Sequence, residues 1–155
     1  ISYFPTLWYR YGYSSQAYDI LCNIVAAERN EYPEVSFGMI EGIVCGAMGI
    51  RPSASSGKIS TLPQITGGHW MQIENLPVYG ELISVRHDSN GSSTLRNRGR
   101  YDLTWQACFY GEYGSISVNG RRHPALHGHD AMGNPFSYIE VQVRPGRSIS
   151  CTVKE

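Results

Sequence analysis

The sequence has no apolar run near the roughly 20 residues that a membrane-spanning helix needs, no Cys-x-x-Cys pair, very little lysine and no excess of either charge. Thirteen basic residues face thirteen acidic ones, and eleven of the basic residues are arginines. A balanced chain cannot draw a polyanion by bulk charge. Neither a nucleic-acid partner nor a membrane partner is expected. Cys22, Cys45, Cys108 and Cys151 are far apart, which excludes zinc-ribbon and redox motifs on spacing alone. They read as free thiols in apolar surroundings, where cysteine behaves as a small hydrophobe, and they leave the compartment open. His123, His127, His129 and Asp130 sit among Pro124, Gly128, Gly133 and Pro135 in what reads as a long inter-strand loop. Zinc would need further ligands held nearby, so no metal or other cofactor is assigned.

What remains is enough for one core. At 155 residues and 41% hydrophobic content, folding hides roughly 70% of the unfolded chain's surface. The hydrophobic pattern has two periods. In the first fifty residues Ala17, Leu21, Ile24 and Val25 recur at helical spacing, with Ser14 or Ser15 as N-cap of a helix through about Glu28. Pro33 and Glu34 suit the start of a second helix, running to about Met48. Its Val35, Phe37, Met39, Ile40, Ile43, Val44 and Met48 leave little polar surface, so it should be buried nearly all round. Gly38, Gly42 and Gly46 recur every four residues, each costing about 1 kcal/mol relative to alanine. Close approach of a neighbouring helix is the expected compensation. Six of the first thirteen residues are aromatic, which fits packing between helices or a sugar-stacking surface.

From Lys58 onward, short β-rich runs alternate with turn signals: 59–62, 70–73, 81–87, 93–96, 103–109, 115–118, 138–143 and 148–153. Asn90-Gly91 and Asn119-Gly120 carry the dipeptide of a type I′ hairpin, and Pro145-Gly146 marks another turn. The spacing predicts an antiparallel sandwich. The fold class is therefore α+β, with a helical hairpin over 1–51, a short linker at 51–57 and a β-sandwich over 58–155. Trp105 reads as core, whereas Trp70 and Tyr79 are open to either a core or a sugar-platform role. Arg96, Arg98 and Arg100 are open to bidentate binding of an acidic sugar or to pairing with Asp102 and Glu112, surface pairing being the commoner outcome.

The order of these features resembles the C-terminal end of six-hairpin toroid glycoside hydrolases, L-rhamnosidase-like members in particular. The residues that carry the likeness are Trp8-Tyr9-Arg10-Tyr11-Gly12-Tyr13, Tyr32-Pro33-Glu34-Val35-Ser36-Phe37, Met48-Gly49-Ile50-Arg51-Pro52 and the Leu62-Pro63 step. The resemblance implies that the glycine-bearing helix is the last inner helix of a ring of twelve, followed by an accessory sandwich. It implies a carbohydrate substrate, and as partner the rest of the toroid, in the parent protein or in another chain. It also implies an acid and a base carboxylate roughly 6.5–9.5 Å apart for inverting hydrolysis, on helices outside this stretch, so no catalytic residue is assigned. The loop entering the last inner helix faces the sugar in this family, which nominates Arg29, Glu31, Tyr32, Glu34 and Ser36 as substrate-binding. Where L-rhamnosidases commonly carry a histidine after the serine, this chain has Phe37-Gly38-Met39, and the sugar stays open. The chain opens at Ile1, and the unmatched helical face leads to the expectation that further helical polypeptide belongs beside it. Two rival classes are a noncatalytic carbohydrate-binding or interaction module and a fragment of a polysaccharide lyase.

Overall fold

Pro5 in the first turn, where a missing N–H costs nothing, opens α1 (Phe4–Arg10). The computed structural model describes residues 3–27 and 33–154. Gly12 turns the chain at φ +79° into α2 (Ser14–Ala26). No side chain caps α2. The Ser14 hydroxyl, expected as its cap, instead donates to Gln64 Oε1 at 2.9 Å. Pro33 then starts α3 (Pro33–Glu41), which widens into a π-helical segment, Gly42–Ala47. The Met48 N–H reaches back five residues to the Ile43 carbonyl at 2.9 Å.

Two glycines of the stripe, Gly42 and Gly46, have the expected cause. A Cβ on Gly42 would lie 3.1 Å from Pro5 Cβ and 3.2 Å from Leu21 Cδ2, and one on Gly46 would collide with the Tyr9 ring. Tyr9, Ala17, Leu21 and Ala47 form the small helical core. The opposite side does not follow the expectation of all-round burial. Phe37 is 63% exposed and Ile40 57%, because α1 and α2 both pack on the glycine side.

The strands are β1 (Arg51–Ser53), β2 (Lys58–Thr61), β3 (Met71–Val78), β4 (Glu81–Ser89), β5 (Ser92–Asn97) and β6 (Leu103–Tyr110). They continue with β7 (Ser115–Val118), β8 (Arg121–Pro124), β9 (Leu126–His129), β10 (Pro135–Val143) and β11 (Ser148–Thr152). Two sheets result, ordered β1-β2-β6-β10-β9 and β3-β4-β5-β11-β7-β8. Period-two alternation puts Ile59, Leu103, Trp105, Ala107, Phe109 and Val143 of the first sheet against Ile83, Val85, Leu95, Ile116 and Cys151 of the second. This is the α+β sandwich that the periodicity predicts. Trp105 is fully buried, its Nε1–H donating to Thr61 Oγ1 at 3.0 Å.

Three details depart from expectation. Residues 51–53 of the expected linker are a strand, and β2 pairs with β6 in parallel. His123 lies on β8 and His127 and His129 on β9, so the expected long loop is two short strands. Asn119 and Gly120 take the positive φ values of a type I′ turn (+47° and +84°), but Asn90 and Gly91 do not. The Asn90 side chain is engaged elsewhere. It accepts from the Ile65 N–H at 2.6 Å and donates to the Ile65 carbonyl at 2.9 Å.

Helices and sandwich meet at Met48-Gly49-Ile50. Met48 and Ile50 are buried in the sandwich core. Gly49, at φ +58°, leaves no room for a Cβ against the Leu62 backbone. The Leu62 N–H donates to the Gly49 carbonyl at 3.2 Å and the Gln64 N–H to the Ala47 carbonyl at 2.8 Å. His87 completes the joint. It is fully buried, with Nε2 3.0 Å from the Met48 carbonyl oxygen and Nδ1 2.7 Å from Ser93 Oγ. The carbonyl can only accept, so Nε2 carries the proton and Nδ1 accepts from the serine hydroxyl. Burial pushes the imidazole pKa down from 6.5 to about 4, against the opposing bond to Met48.

Gly49→Ala should lower stability by more than about 3 kcal/mol, since a left-handed φ and a backbone collision coincide there. Gly57→Ala, at φ +63° with nothing within 4 Å, should cost only about 1 kcal/mol. Equal urea midpoints for the two variants would contradict the joint. His87 gives a second prediction. The folded state holds it neutral, so between pH 6.5 and about 4 the unfolded chain binds the extra proton, and stability falls as pH drops, by about 3 kcal/mol. His87→Gln should be less stable at pH 7 yet lose less on acidification. Urea titrations at pH 7 and pH 5 compare the slopes; parallel slopes would refute the assignment.

Candidate functional site

The same alternation that buries Trp105 turns Gln106, Cys108 and Tyr110 to the other face of the first sheet. On that face two rows of residues, four positions apart along β6, cross the strands by register. Arg51 pairs with Ser60, Ser60 with Gln106, and Tyr110 with Phe136, while Phe136 pairs with Gly128 beside His129. Arg10, in the last turn of α1, closes one side of these rows. Together they line a cleft of about 290 Å³ between the helices and the sandwich.

The chemistry of the cleft is set by three kinds of group. Arg10 and Arg51 are exposed guanidiniums. Asp130 is the carboxylate, and it is heavily engaged: the Met132 and Asn134 N–H groups, Asn134 Nδ2 and the Tyr110 hydroxyl donate to it at 2.8, 2.9, 2.9 and 3.0 Å. Burial raises its pKa, but these four bonds outweigh burial and hold it below the usual carboxylate range. Tyr110 is the phenol. Burial first, then its bond to Asp130 and that charge, push its pKa up to about 12. A Cβ on Gly128 would come within 2.7 Å of the Phe136 ring, so this glycine lets the ring approach β9 closely.

No family model matches the chain, and no curated protein matches it. Among solved structures, the crystal structure of Ara127N-Se, a GH127 β-L-arabinofuranosidase from Geobacillus stearothermophilus T6, is similar over 78% of this chain at 11% identity, with a TM-score of 0.40. The chain spans 19% of the length of that structure.

Of the residues nominated from the sequence, Glu34 and Ser36 do not line the cleft. Arg29, Glu31 and Tyr32 fall outside the described residues. Glu34 is exposed in the first turn of α3, where a carboxylate suits the helix dipole, and Ser36 is exposed two residues later. Two of the clustered arginines, Arg98 and Arg100, pair, but with other partners than expected. Arg100 Nε lies 3.2 Å from Glu81, and Arg98 lies 3.8 Å from Glu74 while donating to Ser84 Oγ at 2.9 Å. Asp102 and Glu112 are not their partners because β4 and β3 bring Glu81 and Glu74 alongside by hairpin register. The histidines do not converge: among the described residues no group of three His, Cys, Asp or Glu side chains could hold a metal ion. His127 Nδ1 is 3.2 Å from Ser137 Oγ instead. No helix among the described residues is long and apolar enough to cross a membrane.

The cysteines are free, and their burial differs from the expected pattern: Cys108 and Cys151 are buried, whereas Cys22 is exposed on α2. Burial pushes the Cys108 and Cys151 thiols up to about 12, and it also raises Cys45. Only the thiolate reacts, so Cys22 should account for the fast phase of labelling by a disulfide reagent at pH 8. Cys22→Ser should abolish that phase, and Cys108 and Cys151 should react only after unfolding. Rapid labelling of Cys108 in the native chain would show that the cleft floor is open.

Proposed function

We propose that this chain is the C-terminal part of a carbohydrate-active glycoside hydrolase, its helices closing a helical toroid and its sandwich serving as an accessory domain without catalysis of its own. The observation that carries the reading is the open apolar face of the helical part. Phe37 and Ile40 on α3 and Val25 on α2 are 63%, 57% and 59% exposed. On α1, Phe4, Leu7 and Trp8 are exposed as well. Large apolar side chains left open on all three helices fit an interface, and a further helix hairpin of a toroid would cover them. The order of motifs from Trp8 to Pro63 supports the same assignment. Under it, Glu34 and Ser36 join Arg29, Glu31 and Tyr32 at the mouth of the sugar pocket.

The binding-module reading needs free aromatic faces on the sandwich. Trp70 is 60% exposed, but the Arg86 guanidinium covers one face of its ring at 4.6 Å, with Asp88 2.6 Å from Arg86 Nε. Tyr79 donates its hydroxyl to the Lys58 carbonyl at 3.2 Å, tying the two sheets. Both aromatics have structural work that accounts for their positions. The lyase reading is favoured by Tyr110, His129, Arg10 and Arg51 lining one cleft. The protonation state of Tyr110 opposes it. A phenol that donates to a carboxylate and has a pKa of about 12 holds its proton too tightly to serve as base near neutral pH.

On its own the chain should self-associate or bind a hydrophobic dye through residues 37 and 40, and should not hydrolyse aryl glycosides. Sedimentation velocity and dye fluorescence measure this. Phe37→Lys combined with Ile40→Lys should abolish association and leave the circular dichroism spectrum unchanged, because both side chains face solvent. A dye-silent monomer of the unmodified chain would overturn the toroid reading.

A further inference from the structure

We infer that the cleft between α1 and the first sheet is a binding site for a monosaccharide-sized ligand bearing a carboxylate, gripped by Arg10 and Arg51. The two guanidiniums come from different elements, the last turn of a helix and an edge strand, and line one space. Among the described residues the ion pairs formed by arginine engage Arg86, Arg98 and Arg100, and no carboxylate lies within ion-pairing distance of Arg10 or Arg51. Guanidinium forks match carboxylates bidentately, so two of them lining one cleft, against the single charge of Asp130, supply a net positive site for a carboxylate.

The remaining wall is consistent with that ligand. Asp130 has its oxygens committed to four donors, so it neither pairs with the arginines nor has accepting capacity to spare. Nearby Glu140 is held by Lys58 Nζ at 2.6 Å. Ser60 and Gln106 present polar side chains on the sheet face, and the Phe136 ring, fixed against Gly128, offers an apolar surface for the face of a sugar ring. The volume, about 290 Å³, lies at the lower limit of small-molecule sites, roughly 300 Å³. That volume matches one sugar ring. The site lies apart from Phe37 and Ile40 and stands whatever the parent protein does.

Isothermal titration of the full chain with glucuronate and galacturonate tests the assignment, with glucose and galactose as neutral controls and inorganic phosphate as a bare anion. A uronate should bind at least about tenfold more tightly than its neutral counterpart, the difference that charge-assisted hydrogen bonds supply. Arg10→Gln and Arg51→Gln should each weaken uronate binding by about tenfold or more, and the double variant should abolish it. Both side chains are exposed, so the variants should keep the unmodified chain's urea midpoint. Equal affinity for uronate and neutral sugar, insensitivity to both substitutions, or phosphate binding as tightly as uronate would each overturn the proposal.

Discussion

The buried hydrogen bond from His87 to the Met48 carbonyl is the constraint on which the arrangement of this molecule rests. A π-helical segment ends with its last carbonyls unpaired by its own backbone. Here they point into a protein interior where water cannot reach them, and an unpaired buried carbonyl is costly. The sandwich supplies the missing donors: His87 to Met48, the Leu62 N–H to Gly49, and the Gln64 N–H to Ala47. Each donor comes from a fixed position of the β-domain. The helix end therefore has one allowed seat, and Gly49 is the residue that lets the chain leave it without striking Leu62. The neutral imidazole is part of the same constraint, since only one tautomer serves both the carbonyl and the Ser93 hydroxyl.

That seat also sets the cleft. Arg10 is carried by α1, whose Tyr9 packs on Gly46 of the π-helical segment, and Arg51 follows the joint by one residue. The distance between the two guanidiniums is thus governed by the joint and by the register of β1 on β2. Neither element alone makes the site. Tyr110 and Asp130 then act as a brace at the far side, tying β6 to the turn before β10. The high pKa of Tyr110 and the low one of Asp130 are the two halves of that brace, a donor and an acceptor each held in its ordinary protonation state.

The sandwich was legible in the sequence where burial imposes alternation. Leu103, Trp105, Ala107 and Phe109 read as a core strand because every second residue must face the opposing sheet. The three strands that escaped notice, β1, β8 and β9, are edge strands in the two sheets. Their residues are mostly exposed, so nothing in their hydrophobicity alternates, and Arg, His and Pro there imitate a loop. Asn90-Gly91 does turn the chain from β4 into β5, but without the type I′ dihedrals: a side chain recruited by Ile65, across the fold, overrides a local dipeptide preference. The cleft was not legible at all. It gathers single outward-facing residues from strands far apart in sequence, and only sheet register makes them neighbours. What pointed toward it was the excess of arginine over lysine, a hint without a position.

The helical and sheet parts differ in how far each supports itself. Among the described residues the sandwich core contains fourteen buried side chains in one cluster, whereas the helical cluster contains four. Four buried side chains cannot offset the conformational entropy of ordering three helices, at roughly 1–2 kcal/mol per residue for the backbone alone. The helices are held by what lies at their two faces. On one face the glycine stripe admits Pro5, Tyr9 and Leu21 closely enough to replace bulk with contact. On the other, Phe37 and Ile40 stand more than half exposed. Local opening should therefore begin at α3 and stop at the joint, where Met48 and Ile50 belong to the sandwich core. A covering partner would act on that opening directly, since every contact it makes with the open face is available only to the closed helix. The same residues that make the helical part marginal by itself are those through which a partner would stabilise it.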